Sequence, residues 1–217
     1  VIVLDAQGQD FATKRLKPVE ALPGYSGMLV CRRLYESARG AEADGLNVEI
    51  GSLFGKTATA IAYGLADRGR GDRLICIDPF EAWPGEEPLA HYLKAFEPQT
   101  PQERFMQTLA ECEVKNVDLI VAKSQDPQAR VAVNGQVRFA FIDGDHRYEG
   151  VKADVEWLLP LMAPGGIMVL DDCGANKETW GVHLVVDELV RPAARKELYV
   201  GETAQNCVFF EMKGGEA

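Results

Sequence analysis

The chain has 217 residues, of which 47% are hydrophobic, 26% charged and 8% aromatic. That suits one packed domain and excludes a disordered or collagen-like chain. Lys and Arg total 23 against 33 Asp and Glu, a formal charge of −10, so the surface repels phosphate and neither nucleic acid nor an anionic membrane is an expected partner. The one basic run, Cys31-Arg32-Arg33, falls in an amphipathic helical pattern, where such charges form a solvated face. No stretch approaches the roughly 20 apolar residues of a membrane span. The N-terminal Val1-Ile2-Val3-Leu4-Asp5 lacks the basic and apolar regions of a signal peptide. The 5 cysteines are scattered, with no C-x-x-C, which fits a reducing, cytoplasmic setting.

In chain order, residues 1–45 read as an N-terminal helical segment. Within it, Val1–Pro23 has too few apolar residues to stand alone and suits packing on a partner, as in a homo-oligomer. Ser26–Ala38 carries Leu29, Val30, Arg33 and Leu34 on a helical period and should end at Gly40 as a left-handed cap. A strand at Leu46–Ile50 precedes an Ala-rich helix, Thr57–Asp67, and a second strand runs Arg73–Asp78. Pro79–Gln99 is too long for a plain connection and leaves the end of a strand, so it reads as a lid with a short helix at Leu89–Phe96. Thr100-Pro101-Gln102-Glu103 is a capping box that should open a helix to about Glu113, with Phe105, Leu109 and Cys112 on one stripe.

Further strands are expected at Val117–Val121, Val137–Asp143 and Gly166–Asp171, with helices at Arg147–Met162 and Thr179–Leu189. Glu197–Val200 and Cys207–Met212 would close the chain as an antiparallel hairpin. The alternation predicts an α/β fold over residues 1–217: a doubly wound, mostly parallel sheet with helices on both faces.

The chemistry sits at the strand ends. Glu49-Ile50-Gly51-Ser52-Leu53-Phe54-Gly55-Lys56-Thr57 is an acidic residue and a glycine turn opening a helix. Glycine lets a ligand approach the backbone, and the helix start offers free N–H groups. The spacing is not the dinucleotide G-x-G-x-x-G, and Glu49 would repel a pyrophosphate while attracting a cationic amine. Asp78 stands where a carboxylate accepts ribose hydroxyls, and Ser124-Gln125-Asp126 offers small polar groups for an adenine edge. Together these point to a nucleoside with a positively charged substituent.

With Phe141-Ile142-Asp143-Gly144-Asp145-His146 and Leu170-Asp171-Asp172-Cys173 added, the chain resembles the class I S-adenosylmethionine-dependent methyltransferases. The nearest branch is the cation-dependent O-methyltransferases, in particular the macrolide-sugar and cephalosporin-biosynthesis enzymes, with catechol O-methyltransferase further off. The resemblance covers about three quarters of the chain. It implies a Rossmann-like, seven-stranded sheet, S-adenosylmethionine as cofactor, and methyl transfer to a hydroxyl of a small molecule, either a sugar of a natural product or a catechol-like phenol. It places the methionine part on Glu49, Gly51, Ser52, Gly55 and Thr57, the ribose on Asp78, and the adenine by Ser124 and Gln125, with Asp143 bordering the cofactor.

Asp143, Asp171 and Asp172 should converge at one sheet edge, where without a cation they would raise one another's pKa. Hard oxygen donors favour Mg²⁺, or Mn²⁺ or Ca²⁺, and the resemblance puts metal ligands at these same positions. Strand alternation points Asp171 and Asp172 to opposite faces, so Asp143 pairs with either one, or with both if a turn brings them round. His146, three residues after Asp143, suits a general base, and the sugar-type relatives carry a histidine there. Asp143 and His146 are thus the expected catalytic pair.

Plainer readings attach to other residues. Asp145 reads as a helix N-cap, Asp154 and Glu156 as a solvated helix face, Trp157 as core and Cys173 as packing. His91 and His183 read as surface or packing residues, and Trp83 and Trp180 as loop aromatics over the site. The rival functions are an NAD-dependent oxidoreductase, disfavoured by the missing third glycine, and a cofactor-binding protein without turnover.

Overall fold

A computed structural model describes residues 10–81, 87–94, 96–174, 180–199 and 206–214. Trp83, Thr179 and Val200 lie outside these residues. One seven-stranded sheet organises the chain, in the order β3-β2-β1-β4-β5-β7-β6. Its strands are β1 (Leu46–Ile50), β2 (Leu74–Ile77), β3 (Val117–Ile120), β4 (Val137–Ile142), β5 (Met162–Leu170), β6 (Ala194–Leu198) and β7 (Val208–Met212). The first five run parallel. β7 pairs antiparallel with β5, and β6 with β7. The expected fold is the one observed.

The helices are α1 (Phe11–Arg15), α2 (Met28–Gly40), α3 (Lys56–Arg68), α4 (Glu87–Lys94), α5 (Pro101–Glu111), α6 (Pro127–Ala132), α7 (Tyr148–Leu158) and α8 (Val182–Val185). A π-helical turn, Val186–Val190, extends α8. No helix among the described residues is long and apolar enough to cross a membrane.

The central strands are apolar because helices cover both faces, and β4 is buried throughout. On one face Val48, Ala140, Met168 and Phe210 pack with α7 and α8. On the other, Phe139, Phe141, Val169 and Phe209 pack with α2, α3 and α5. The strands stop one residue short of their acidic ends, yet the acidic residues complete the ladder. Asp78 N–H donates to Ile120 O, Asp143 N–H to Ile50 O and Asp171 N–H to Ile142 O, at 3.2, 2.8 and 3.1 Å. The sheet itself therefore fixes where these carboxylates begin.

Several expectations change. Gly40 is the last residue of α2 rather than a left-handed cap, and the capping residue is Ala41 at φ −60. Arg138 explains the difference: it lies fully buried in β4 and donates to Ala41 O and Ala38 O at 2.8 and 2.9 Å, closing the helix from the core. β5 starts earlier than Gly166, pairing Met162 with Val137 across a register shift. Of the N-terminal segment, Ala12, Leu16, Val19 and Leu22 are buried against Cys31, Tyr35 and Tyr63 of the same chain. The capping box stands as expected, with Thr100 Oγ1 accepting from Glu103 N–H and Glu103 accepting from Thr100 N–H.

Candidate active site

The strand ends and the loops after them enclose a cleft of about 1040 Å³. Gly51, Ser52, Thr57, Asp78, Ser124, Gln125, Asp143, His146, Asp171 and Asp172 all line it. Glu49 lies behind the turn, fully buried, and Gly55 starts α3 at φ 84 with its free side toward Phe105. Apart from Glu49 and Gly55, the sequence-derived residues are thus gathered round one opening.

The glycine turn is held by Asp78. Its Oδ2 accepts from Ser52 N–H and Leu53 N–H, both at 2.7 Å, and its Oδ1 from Phe80 N–H at 2.6 Å. Burial pushes its pKa up, and these N–H groups pull it back. Gly51 has φ 83, and a Cβ there would lie 2.0 Å from Asp143 O. The backbones after β1 and β4 touch because nothing larger than hydrogen stands between them.

Glu49 Oε2 accepts from Ser52 Oγ at 2.7 Å and Cys76 Sγ at 3.3 Å. Its Oε1 is buried with no hydrogen-bond partner among the described residues. Burial raises the pKa from 4.5 to about 7. A folded-state pKa above the unfolded one means the folded chain binds more protons between those values, so stability falls as pH rises through that window. Glu49→Gln should remove this decline, stabilising the ligand-free protein at pH 8 by roughly 3 kcal/mol while changing little near pH 4.5. Thermal melting of both proteins at the two pH values checks this, and parallel curves would refute it.

Beyond β3, Asp154 departs from its expected place. It is 1% exposed rather than solvated, and its Oδ1 accepts from Ser124 Oγ at 2.5 Å and Gln125 Nε2 at 3.1 Å. Burial raises its pKa to about 6. It stands among Val151, Val155 and Leu158 on the buried face of α7. A carboxylate in an apolar stripe was the available sign of an interior partner. Glu156 is exposed, as expected.

The acidic cluster follows β4 and β5. His146 Nε2 is 3.2 Å from Asp143 Oδ1, and Nδ1 is 3.6 Å from Asp172 Oδ2. One ligand atom from each of Asp143, His146 and Asp172 lies within 4.8 Å of the others. Asp172 takes φ 57, the turn that brings it round beside Asp143. Asp171 is held differently: its Oδ1 accepts from Asp172 N–H and Cys207 Sγ, both at 2.8 Å. Burial and the Asp172 charge push Asp143 well above the carboxylate range, and burial with Asp143 raises Asp171 to about 7. Such stored repulsion is what a cation relieves.

The surroundings settle the plainer readings. The Trp180 ring lies 4.5 Å from that of His146, between centroids. Asp145 is not the N-cap of α7; that position is Arg147, whose N–H and guanidinium both bond Asp145. Trp157 is half-buried beneath Arg130, and Cys173 packs beside the core. His91 is exposed and His183 half-buried. Within the 79–99 connection, α4 sets Tyr92 against Tyr25 and Phe54, while Leu93 lines the cleft. Arg32 and Arg33, expected to be solvated, pair with Glu36.

A sheet of this order, with a glycine turn after the first strand and acidic residues ending the second, fourth and fifth, defines a Rossmann-like methyltransferase fold. The chain belongs to the methyltransferase-domain family, which matches residues 48–173. No curated protein sequence matches it. Among solved structures it is similar to the O-methyltransferase NovP, at 15% identity and TM-score 0.67, covering 86% of this chain and 81% of that one. It is also similar to an O-methyltransferase from Bacillus cereus in complex with SAH, at 18% identity, TM-score 0.60 and 97% and 93% coverage. An rRNA methylase from Streptococcus thermophilus shares the fold at 13% identity, TM-score 0.54 and 83% and 95% coverage.

Proposed function

We propose that the protein is an S-adenosylmethionine-dependent, divalent-cation-dependent O-methyltransferase acting on a hydroxyl of a small molecule. The grouping of Asp143, His146 and Asp172 within 4.8 Å carries the reading, at the rim of the cleft that the glycine turn also lines. The names of NovP and the Bacillus cereus enzyme support oxygen as the methylated atom. The acidic surface favours a small acceptor over RNA. A sugar hydroxyl of a natural product is the preferred acceptor and a catechol-like phenol the next.

The residues fit both groups the reaction needs. The unpartnered, buried Glu49 Oε1 suits an amino group, and the Gly51 turn leaves the backbone bare for a bulky ligand. Mutually repelling oxygen donors suit Mg²⁺. When bound, S-adenosylmethionine supplies an electrophilic methyl group and the cation lowers the pKa of the acceptor hydroxyl.

The chain's own residues do the rest. The turn from Glu49 to Thr57, with Asp78, holds and orients the donor. Asp143 and Asp172 hold the cation, with Asp171 beside them. His146, held between Asp143 and Asp172, takes the acceptor proton through its imidazole. Trp180 steadies the imidazole. Much of the rate comes from holding donor and acceptor in attack geometry.

Calorimetric titration of the metal-free protein tests this with S-adenosylmethionine, S-adenosylhomocysteine and NAD⁺, then Mg²⁺. Both adenosyl compounds should bind, NAD⁺ should not, and the Mg²⁺ heat should vanish in Asp143→Ala. Binding without any Mg²⁺ response removes the cation from the mechanism. Binding of NAD⁺ alone overturns the whole reading.

A further inference from the structure

The structure assigns to Asp154 a role in selecting the nucleobase: we infer that its free carboxylate oxygen accepts the exocyclic amino group of the cofactor's adenine. The inference rests on the cofactor reading above and adds to it a specificity-determining residue from a helix, outside the loop after β3.

Asp154 reaches the cleft from α7 and is 1% exposed. A carboxylate so buried needs hydrogen-bond donors to remain ionised. Two are present, and both fall on one oxygen: Ser124 Oγ and Gln125 Nε2 converge on Oδ1. Oδ2 accepts no hydrogen bond among the described residues. It lies 3.6 Å from where a Cβ on Gly144, just after β4, would be. A Cβ at Gly144 would also meet Ile50 Cγ2 at 3.1 Å, so glycine keeps the backbone bare beside that oxygen.

Spending both donors on Oδ1 has two effects. It fixes the carboxylate plane, so Oδ2 cannot turn to satisfy itself on the protein. It also directs the Gln125 amide nitrogen at Asp154, which leaves Gln125 Oε1 as a second acceptor at the same end of the cleft. Two acceptors set side by side recognise a donor. The 6-amino group of adenine is a donor, whereas the 6-oxo group of hypoxanthine is an acceptor and would face the carboxylate with like polarity. Sites that hydrogen-bond a group in a dry pocket reject analogues lacking it strongly, because buried polar atoms are then left unpaired.

Calorimetry with S-adenosylhomocysteine and S-inosylhomocysteine, its 6-oxo analogue, tests the inference on the full chain. The wild-type protein should prefer the adenosyl compound by about 30-fold or more. Asp154→Asn keeps an oxygen for Ser124 and places an amide donor toward the base, so the preference should shrink to within about 3-fold or invert. Equal wild-type affinity for the two compounds overturns the inference and leaves the cofactor reading standing. So does an Asp154→Asn protein that keeps the full preference. Failure of the wild type to bind either compound overturns both. Because the wild-type comparison decides alone, a variant that does not fold leaves the inference open to refutation.

Discussion

Gly51→Ala is expected to be the most damaging single-methyl change in the chain, costing about 3 kcal/mol or more of stability and abolishing cofactor binding. The new Cβ would meet Asp143 O at 2.0 Å, Asp143 C at 2.6 Å and Gly144 N at 3.0 Å. All are backbone atoms, and Asp143 is itself tied to Ile50 O at 2.8 Å, so no side chain can swing aside. Relief requires β1 and β4 to part at their ends, which carries Ser52 and Leu53 away from Asp78 and displaces Asp143 from His146. Gly69→Ala is the control. Gly69 also has positive φ, 76, but a Cβ there meets nothing within 4 Å, so only the left-handed backbone is penalised, roughly 1 kcal/mol. Urea unfolding of both variants separates the terms. Equal midpoints would show that the contact with β4 carries no energy.

His146→Ala should lower methyl transfer by about 10²–10⁴-fold, the usual worth of a positioned base, with S-adenosylhomocysteine affinity unchanged. The imidazole stands between Asp143 and Asp172, at 3.2 and 3.6 Å, a position that suits a third metal ligand as well as a base. Mg²⁺ affinity tells them apart. A base leaves it intact in the variant while turnover falls, whereas a ligand takes metal affinity and turnover down together. Undiminished turnover would remove His146 from the mechanism.

What could be read from the sequence followed the distance over which each feature is determined. The parallel strands announce themselves as short apolar runs, because burial on both faces leaves no polar alternation to obscure them. The Glu49–Thr57 turn and the Asp143–His146 run are also local: their chemistry needs particular residues within a few positions of one another. The start of β5 is hidden in the sequence because Ala163-Pro164-Gly165-Gly166 has turn composition, and only its pairing with β4 makes it a strand. α6 leaves no sequence signal because its six residues bury only Ala129. Asp154, Arg138 and Cys207 went unread for a different reason. Their partners lie 30, 97 and 36 positions away, and no periodicity encodes a contact that the fold alone creates.

Arg138 has a consequence for the order of folding. The carbonyls that end α2 are met by a guanidinium up to 100 residues downstream, not by a local glycine or a side chain of the helix itself. A loop of that length closes slowly, and its entropy is lost before the contact is made. Ala41 N–H still closes the last turn locally on Ser37 O, but the carbonyls of Ala38 and Ala41 gain these donors only once β4 has entered the sheet. The same delay couples two layers of the molecule, since the strand that delivers Arg138 to the helix at one end delivers Asp143 to the cleft at the other.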